Sequence, residues 1–249
     1  MPPRAVRTSM LVVALHQSSA WLVQPASPVN VRPAAALCID EFETLQMPLF
    51  PLPGWKAAAR EEAITQWTES RKSLLAGSDP HCLLVALRNE AEAGRYFEGV
   101  DDGLLGFAEI GLLPAPPEKN KAAETSNETP ANDLDSAGTL PVAEKPQLYP
   151  YLANLAVRPG ARKLGLGGDL VSAAEAKAVE LGYDRLYVKV KRENFGARRL
   201  YDRNGYSLVY LQNRMPDLTN RQTQFLFLRK DLLQPITTAA TSEEDSAAT

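Results

Sequence analysis

Residues Tyr151 to Tyr206 read YLANLAVRPGARKLGLGGDLVSAAEAKAVELGYDRLYVKVKRENFGARRLYDRNGY, and this stretch decides the fold. YLANLAV is short, largely apolar and closed by Pro159-Gly160, the pattern of a buried strand. Leu170, Val171, Ala174, Ala178 and Leu181 then recur at helical spacing, and Gly182 is a suitable stop. A second strand follows within YDRLYVKVKREN and a short helix within FGARRLYDRNGY. Between the first strand and the long helix lies Arg162-Lys163-Leu164-Gly165-Leu166-Gly167-Gly168. Glycine lets backbone approach a ligand closely, and the unpaired N–H groups of a helix start attract an anion. Two cations lead into the glycines. The segment reads as a pyrophosphate cradle.

Two familiar cradles each fail on a residue. A P-loop needs Lys-Ser/Thr after its last glycine, and Asp169-Leu170 stands there. The dinucleotide fingerprint needs Gly or Ala where Leu170 sits. The pattern Arg162-x-x-Gly165-x-Gly167 after a strand ending Leu155-Ala156-Val157 resembles the GNAT superfamily of acetyl-CoA-dependent N-acetyltransferases. The same holds for Asn194-x-x-Ala197-x-x-Leu200-Tyr201 further on, trailed by Gly205-Tyr206. Within that superfamily the strand and loop look most like the plastid branch and the protein N-terminal acetyltransferases.

The rest of the chain fits one domain with extensions. It has 249 residues, enough for a substantial core, and a net charge of −3, so bulk electrostatics points to neither nucleic acid nor a membrane surface. Cys38 and Cys82 read as thiols in a reducing compartment, and His16 and His81 do not make a zinc cluster. No metal is expected.

No acidic residue precedes Asp40. Arg4, Arg7 and Ser9, the apolar run Met10–Leu15 and then Ser18-Ser19-Ala20-Trp21 have the composition of a targeting leader. A signal-like core followed by Ser-Ala-Trp resembles the bipartite leaders of algae with secondary plastids. Residues 1–28 are therefore expected to be a presequence, with the chloroplast stroma as destination and a mitochondrial or cytoplasmic location as the alternative.

Val29–Pro33 reads as the first strand. Ala35–Gln46 reads as a helix with Leu37, Phe42 and Leu45 as its apolar positions, and Trp55–Ala76 as a second helix. His81–Arg88 and Gly103–Leu112 form an antiparallel hairpin pair joined by Asn89–Asp102. Residues 114–147 are rich in Pro, Ala, Glu, Asn and Thr and poor in large apolar side chains, so burial cannot offset the entropy of ordering them. They read as a disordered insertion between two strands of one sheet. Tyr206–Leu211 and Thr223–Arg229 are the last strands, and 235–249 is a disordered acidic tail. The globular unit is thus 29–234.

The resemblance implies an α/β fold: a mixed, mostly antiparallel sheet of six to seven strands with flanking helices and a splayed central pair. It further implies that Leu155, Ala156 and Val157 offer backbone hydrogen bonds to the pantetheine arm and thioester of acetyl-CoA, one amide there stabilising an oxyanion. Arg162, Lys163, Leu164, Gly165, Leu166, Gly167 and Gly168 would hold the pyrophosphate, with Asp169 turned outward. Asn194 belongs to the second motif, and Lys191 and Arg198 are candidates for the 3′-phosphate. Tyr201 matches the family's general acid for the departing thiolate. Phe50, Leu52, Trp55 and Gln212–Gln222 would border the acceptor groove.

Candidate bases on the acceptor side are Tyr151 and Tyr149, with Glu109 a further possibility; His81 is expected to lie elsewhere. These weak bases favour an acceptor that is already partly neutral. The expected activity is transfer of acetyl to protein amines, N-terminal α-amino groups before lysine ε-amino groups. A small-molecule amine acceptor and a catalytically silent acetyl-CoA-binding module are the alternatives.

Overall fold

Runs of residues buried on both faces build one seven-stranded sheet among the described residues. The computed structural model describes residues 20–42, 53–76, 81–89, 102–116, 147–213 and 224–232. Its strands are β1 (Trp21–Pro25), β2 (Cys82–Arg88), β3 (Leu104–Pro114), β4 (Leu148–Val157), β5 (Arg185–Lys191), β6 (Ser207–Asn213) and β7 (Gln224–Asp231). They lie in the order β1-β2-β3-β4-β5-β7-β6, and every neighbouring pair is antiparallel except β4–β5.

Four helices cover the sheet: α1 (Pro28–Phe42), α2 (Trp55–Ala76), α3 (Leu166–Glu180) and α4 (Phe195–Arg203). On one face α3 packs Leu170, Val171, Ala174 and Ala178 against Leu105, Ala108, Ile110, Leu152 and Leu186. On the other, α1 and α2 pack Val31, Ala35, Cys38, Ile64 and Trp67 against Leu83, Val85 and Phe107. Complete burial of one such leucine stabilises the fold by roughly 1.5–3 kcal/mol. The parallel pair is connected through α3, as a parallel connection requires a crossover. Among the described residues no helix is long and apolar enough to cross a membrane.

One strand assignment is corrected. Val29–Pro33 does not form the first strand; it opens α1, and the first strand is Trp21–Pro25, inside the stretch expected to be presequence. Val-Asn-Val mimics strand alternation locally. The decisive signal is longer: Val31, Ala34, Ala35, Cys38 and Ile39 are all buried and recur with helical period. Pro28 at the first helical position has no N–H to leave unpaired. Pro33 forfeits one helical hydrogen bond, and α1 continues through it. Phe42, named among the apolar positions of this helix, is exposed at its end.

The helix expected over Ala35–Gln46 starts earlier and ends at Phe42. α2 covers Trp55–Ala76, and Pro114 of β3 pairs with Leu148 of β4, so the segment between them is an insertion at a hairpin. Leu45, Phe50, Leu52, most of Asn89–Asp102 and of Gln212–Gln222, and the acidic tail lie outside the described residues.

Candidate active site

β4 and β5 are in register only at Tyr151↔Tyr187 and Leu152↔Val188. Beyond those residues the two strands part, which leaves backbone groups of β4 from Ala153 onward without a strand partner on that side among the described residues. The parting coincides with a bulge on the opposite edge of β4. Phe107 faces Ala156 while Glu109 faces Ala153, so Ala108 alone opposes Asn154 and Leu155. Asn154 takes φ 47, in the left-handed region, where Asn is one of the few tolerated side chains. A methyl group on Gly106 would stand 2.7 Å from the Ala156 carbonyl oxygen, so only glycine permits β3 to approach the bulge this closely.

The chain leaves the splay through a short 3-10 turn, Pro159–Ala161, and enters α3 at Gly165. Gly165 has φ 102, caps the helix with no side chain, and would present a Cβ to open space. Gly168 N–H and Asp169 N–H return to the Gly165 carbonyl at 2.8 and 3.2 Å. The amides of Leu166 and Gly167 have no intrahelical acceptor. Lys163 also has positive φ, 62, and is exposed beside the exposed Leu164. An anion-binding turn results, of the kind a diphosphate fits.

Not every glycine serves that purpose. A Cβ at Gly167 would lie 3.3 Å from Leu200 Cδ2, so this glycine lets α3 and α4 pack closely. Leu166 is buried and anchors the helix start in the core. Arg162 is already engaged: Nε donates to the Val157 carbonyl at 2.8 Å, and its guanidinium pairs with Glu41 of α1 at 2.6 Å. Asp169 is not simply turned outward. Its Oδ2 accepts from the Trp21 indole at 2.8 Å, which draws the carboxylate toward β1.

Tyr201 is buried on α4, with Ala197 and Leu200 of the same helix face against the core. Its ring meets Tyr206 edge-on, centroids 5.6 Å apart, and burial pushes its hydroxyl up to about 12. Asn194 caps α4, its side chain accepting from Ala197 N–H at 3.1 Å, so the motif asparagine organises the helix that carries Tyr201. Lys191 is exposed, and Arg198 donates to the Arg192 carbonyl at 3.0 Å.

Tyr151 stacks on Tyr187 with centroids 5.2 Å apart, and Tyr149 meets Tyr187 edge-on at 5.7 Å. The Tyr151 hydroxyl donates to the Pro114 carbonyl at 3.1 Å. Burial, then the neighbouring Tyr187, raises it well above the ordinary phenol value. A tyrosine so placed holds its proton, yet keeps oxygen lone pairs with which to accept a hydrogen bond.

Glu109 neither faces solvent nor stands free as a base. It is buried on the α2 side of β3, and its carboxylate accepts from Arg71 Nε (3.0 Å), Arg71 Nη2 (3.3 Å), His81 Nε2 (2.6 Å) and Asn154 Nδ2 (2.7 Å). Burial alone would raise it. The hydrogen bonds from His81, Asn154 and Arg71 outweigh that and bring it down to about 2. His81, expected elsewhere, therefore belongs to this cluster. Sequence reasoning missed the cluster, although an asparagine within an otherwise apolar strand was a visible signal. Among the described residues no group of His, Cys, Asp and Glu could hold a metal ion.

The sheet thus splays at a bulge and leads into a glycine-rich helix start without a side-chain cap. The sequence matches the model of the acetyltransferase (GNAT) family over residues 52–206, more than half of its length, and the chain belongs to that family. Arabidopsis thaliana NAA60 in complex with acetyl-CoA superimposes with a TM-score of 0.53 at 15% identity, over 85% of this chain and 98% of that one. The same protein with a bisubstrate analogue gives 0.54 at 14% identity, over 85% and 98%. A ribosomal-protein-alanine N-acetyltransferase from Brucella melitensis gives 0.48 at 17% identity, over 85% and 99%. At these identities the likeness is one of fold. No curated protein matches the sequence.

Proposed function

We propose that this protein transfers acetyl from acetyl-CoA to protein amines, N-terminal α-amino groups before lysine ε-amino groups. The observation that carries the transfer chemistry is the parting of β4 from β5 at Asn154, continuous with the open amides of Leu166 and Gly167 at the start of α3. An extended pantetheine arm fits the gap as a strand would, against Leu155, Ala156 and Val157. The diphosphate then meets the turn from Arg162 to Gly168. The solved complexes of Arabidopsis NAA60 with acetyl-CoA and with a bisubstrate analogue support both the cosubstrate and a direct-transfer geometry.

In this reading an amide of the bulge hydrogen-bonds the thioester oxygen as negative charge develops there, an effect that can be worth several kcal/mol. Tyr201 hydrogen-bonds the departing sulfur. With its own proton held to about 12, it gives that proton late, after the C–S bond has largely broken. Tyr151 accepts a hydrogen bond from the attacking amine and orients it, and the amine proton leaves to solvent.

The acceptor preference follows from the titratable groups. Tyr151 holds its proton, and Glu109 is saturated with donors. Among the described residues no group on this side is poised to deprotonate an ammonium near neutrality. At pH 7 about one α-amine in seven is already neutral, against about one lysine in 2,500, taking pKa values of about 7.8 and 10.4. The test is a peptide with one free N-terminus and one internal lysine, the acetylated position read by fragmentation. Predominant lysine modification would overturn the preference and leave the family assignment standing.

We further propose a plastid-directed leader that ends upstream of Ala20. The motivation is the acid-free opening, and the burial of Ala20 and of Trp21 and Val23 in β1 supports a boundary upstream of them. N-terminal sequencing of the native protein checks it, and a chain still beginning at Met1 would refute it.

A further inference from the structure

We infer that Glu109 is a positioning residue for acyl transfer: from β3 it holds the left-handed turn of Asn154, and through it the bulge amides that face the thioester. The inference rests on the acetyltransferase reading above. Asn154 stands at φ 47 immediately past the last β4–β5 pair, where the strand must turn its backbone into the gap. A non-glycine residue in this region persists only when its surroundings determine it. Among the described residues its side chain is held by the bond from Asn154 Nδ2 to Glu109 Oε2 at 2.7 Å.

Glu109 is in turn fixed from two other elements. Arg71 of α2 grips both carboxylate oxygens, and its guanidinium lies over the Trp67 ring at 4.6 Å; Trp67 meets Phe107 edge-on at 6.0 Å. His81, just ahead of β2, donates from Nε2 at 2.6 Å, and its Nδ1 is buried with no hydrogen-bond partner among the described residues. The four acceptor positions of the carboxylate are thus filled by three side chains, and none remains for the proton of an incoming amine. On the other side of the bulge, Gly106 presses against the Ala156 carbonyl. Both ends of the bulge therefore take their position from β3. A few tenths of an ångström there moves the amide that meets the developing oxyanion, while the diphosphate turn beyond Pro159 is untouched.

The experiment compares Glu109→Gln, Asn154→Gly and the double variant. Glycine accepts φ 47 without strain, so Asn154→Gly removes the tether and leaves both the backbone conformation and the Arg71–Glu109 pair available. Acetyl-CoA labelled with carbon-13 at the thioester carbonyl reports the amide directly through its resonance on binding. The wild type should displace that resonance downfield. Each single variant should lose most of the displacement and about tenfold or more in kcat, with the Kd for acetyl-CoA within about threefold. The double variant should be no slower than the slower single one, because both act along one path.

Full displacement and wild-type kcat in either variant would overturn the inference. So would additive losses, or a parallel fall of kcat and affinity, which is what a merely structural ion pair produces. Should Glu109→Gln not fold, Asn154→Gly decides alone. A wild type that does not bind acetyl-CoA sinks the acetyltransferase reading and this inference with it; normal binding with unaffected variants sinks this inference only.

Discussion

The indole N–H of Trp21 donates to Oδ2 of Asp169 at 2.8 Å, tying the first strand to the first turn of α3. The bond holds a carboxylate beside the turn that would receive a diphosphate. Asp169→Asn keeps an acceptor for the indole and removes the charge. Affinity for acetyl-CoA should rise about two- to fivefold, the equivalent of roughly 0.3–1 kcal/mol of charge–dipole interaction at a helix start. Titration calorimetry checks it, and an unchanged or weaker Kd would show that the carboxylate does not influence the turn.

Gly165 separates two effects. Its φ of 102 strains any side chain, so Gly165→Ala should cost stability by about 1–2 kcal/mol without a clash, since the space around its Cβ is open. Gly165→Glu adds bulk and negative charge in the same space and should abolish acetyl-CoA binding. Retained affinity in the glutamate variant would refute the assignment of the cradle.

Tyr201→Phe removes one oxygen from a buried ring and leaves the packing against Tyr206 in place. Acetyl-CoA affinity should be unchanged, and kcat should fall by roughly tenfold or more. Tyr151→Phe should lower kcat/KM by less, about three- to tenfold, because an orienting hydrogen bond is lost and no proton acceptor is. Wild-type turnover in Tyr201→Phe would refute its role as the acid.

Glu109 also predicts an acid limb of stability. Its folded value of about 2 lies below the ordinary one of 4.5, so its contribution is complete above pH 4.5 and is lost as pH falls toward 2. For a side chain 7% exposed, the shift corresponds to about 3 kcal/mol. Glu109→Gln should be less stable at pH 7 and show a flatter stability curve between pH 4.5 and 2. Denaturant unfolding across that range measures both. A variant curve parallel to the wild type would show that the carboxylate is not the group titrating.

Local pattern carried the strands from Cys82 onward, α2, α3 and α4, and the turn from Arg162 to Gly168, because periodicity and glycine placement are properties of neighbouring residues. It also marked Tyr201 and Asn194. Pattern failed at Val29, where three residues of alternation outweighed a helical period that needed nine residues to declare itself. Other features were not local at all. Which residues border the splay depends on the register of β3 against β4, and that register is set by a bulge no single strand reveals.

The residues themselves determined an acetyltransferase-family fold and a glycine-rich turn ahead of a long helix, through hydrophobic period and backbone freedom. Only the tertiary structure decided what the polar residues do. It placed Glu109, Arg71, His81 and Asn154 on one carboxylate, drew Arg162 to Glu41, and gave the Trp21 indole to Asp169. The reason is physical. Burial makes each unpaired polar group costly, so its partner is chosen by whatever the packed sheet and helices bring within hydrogen-bond reach, at sequence separations that no local pattern encodes.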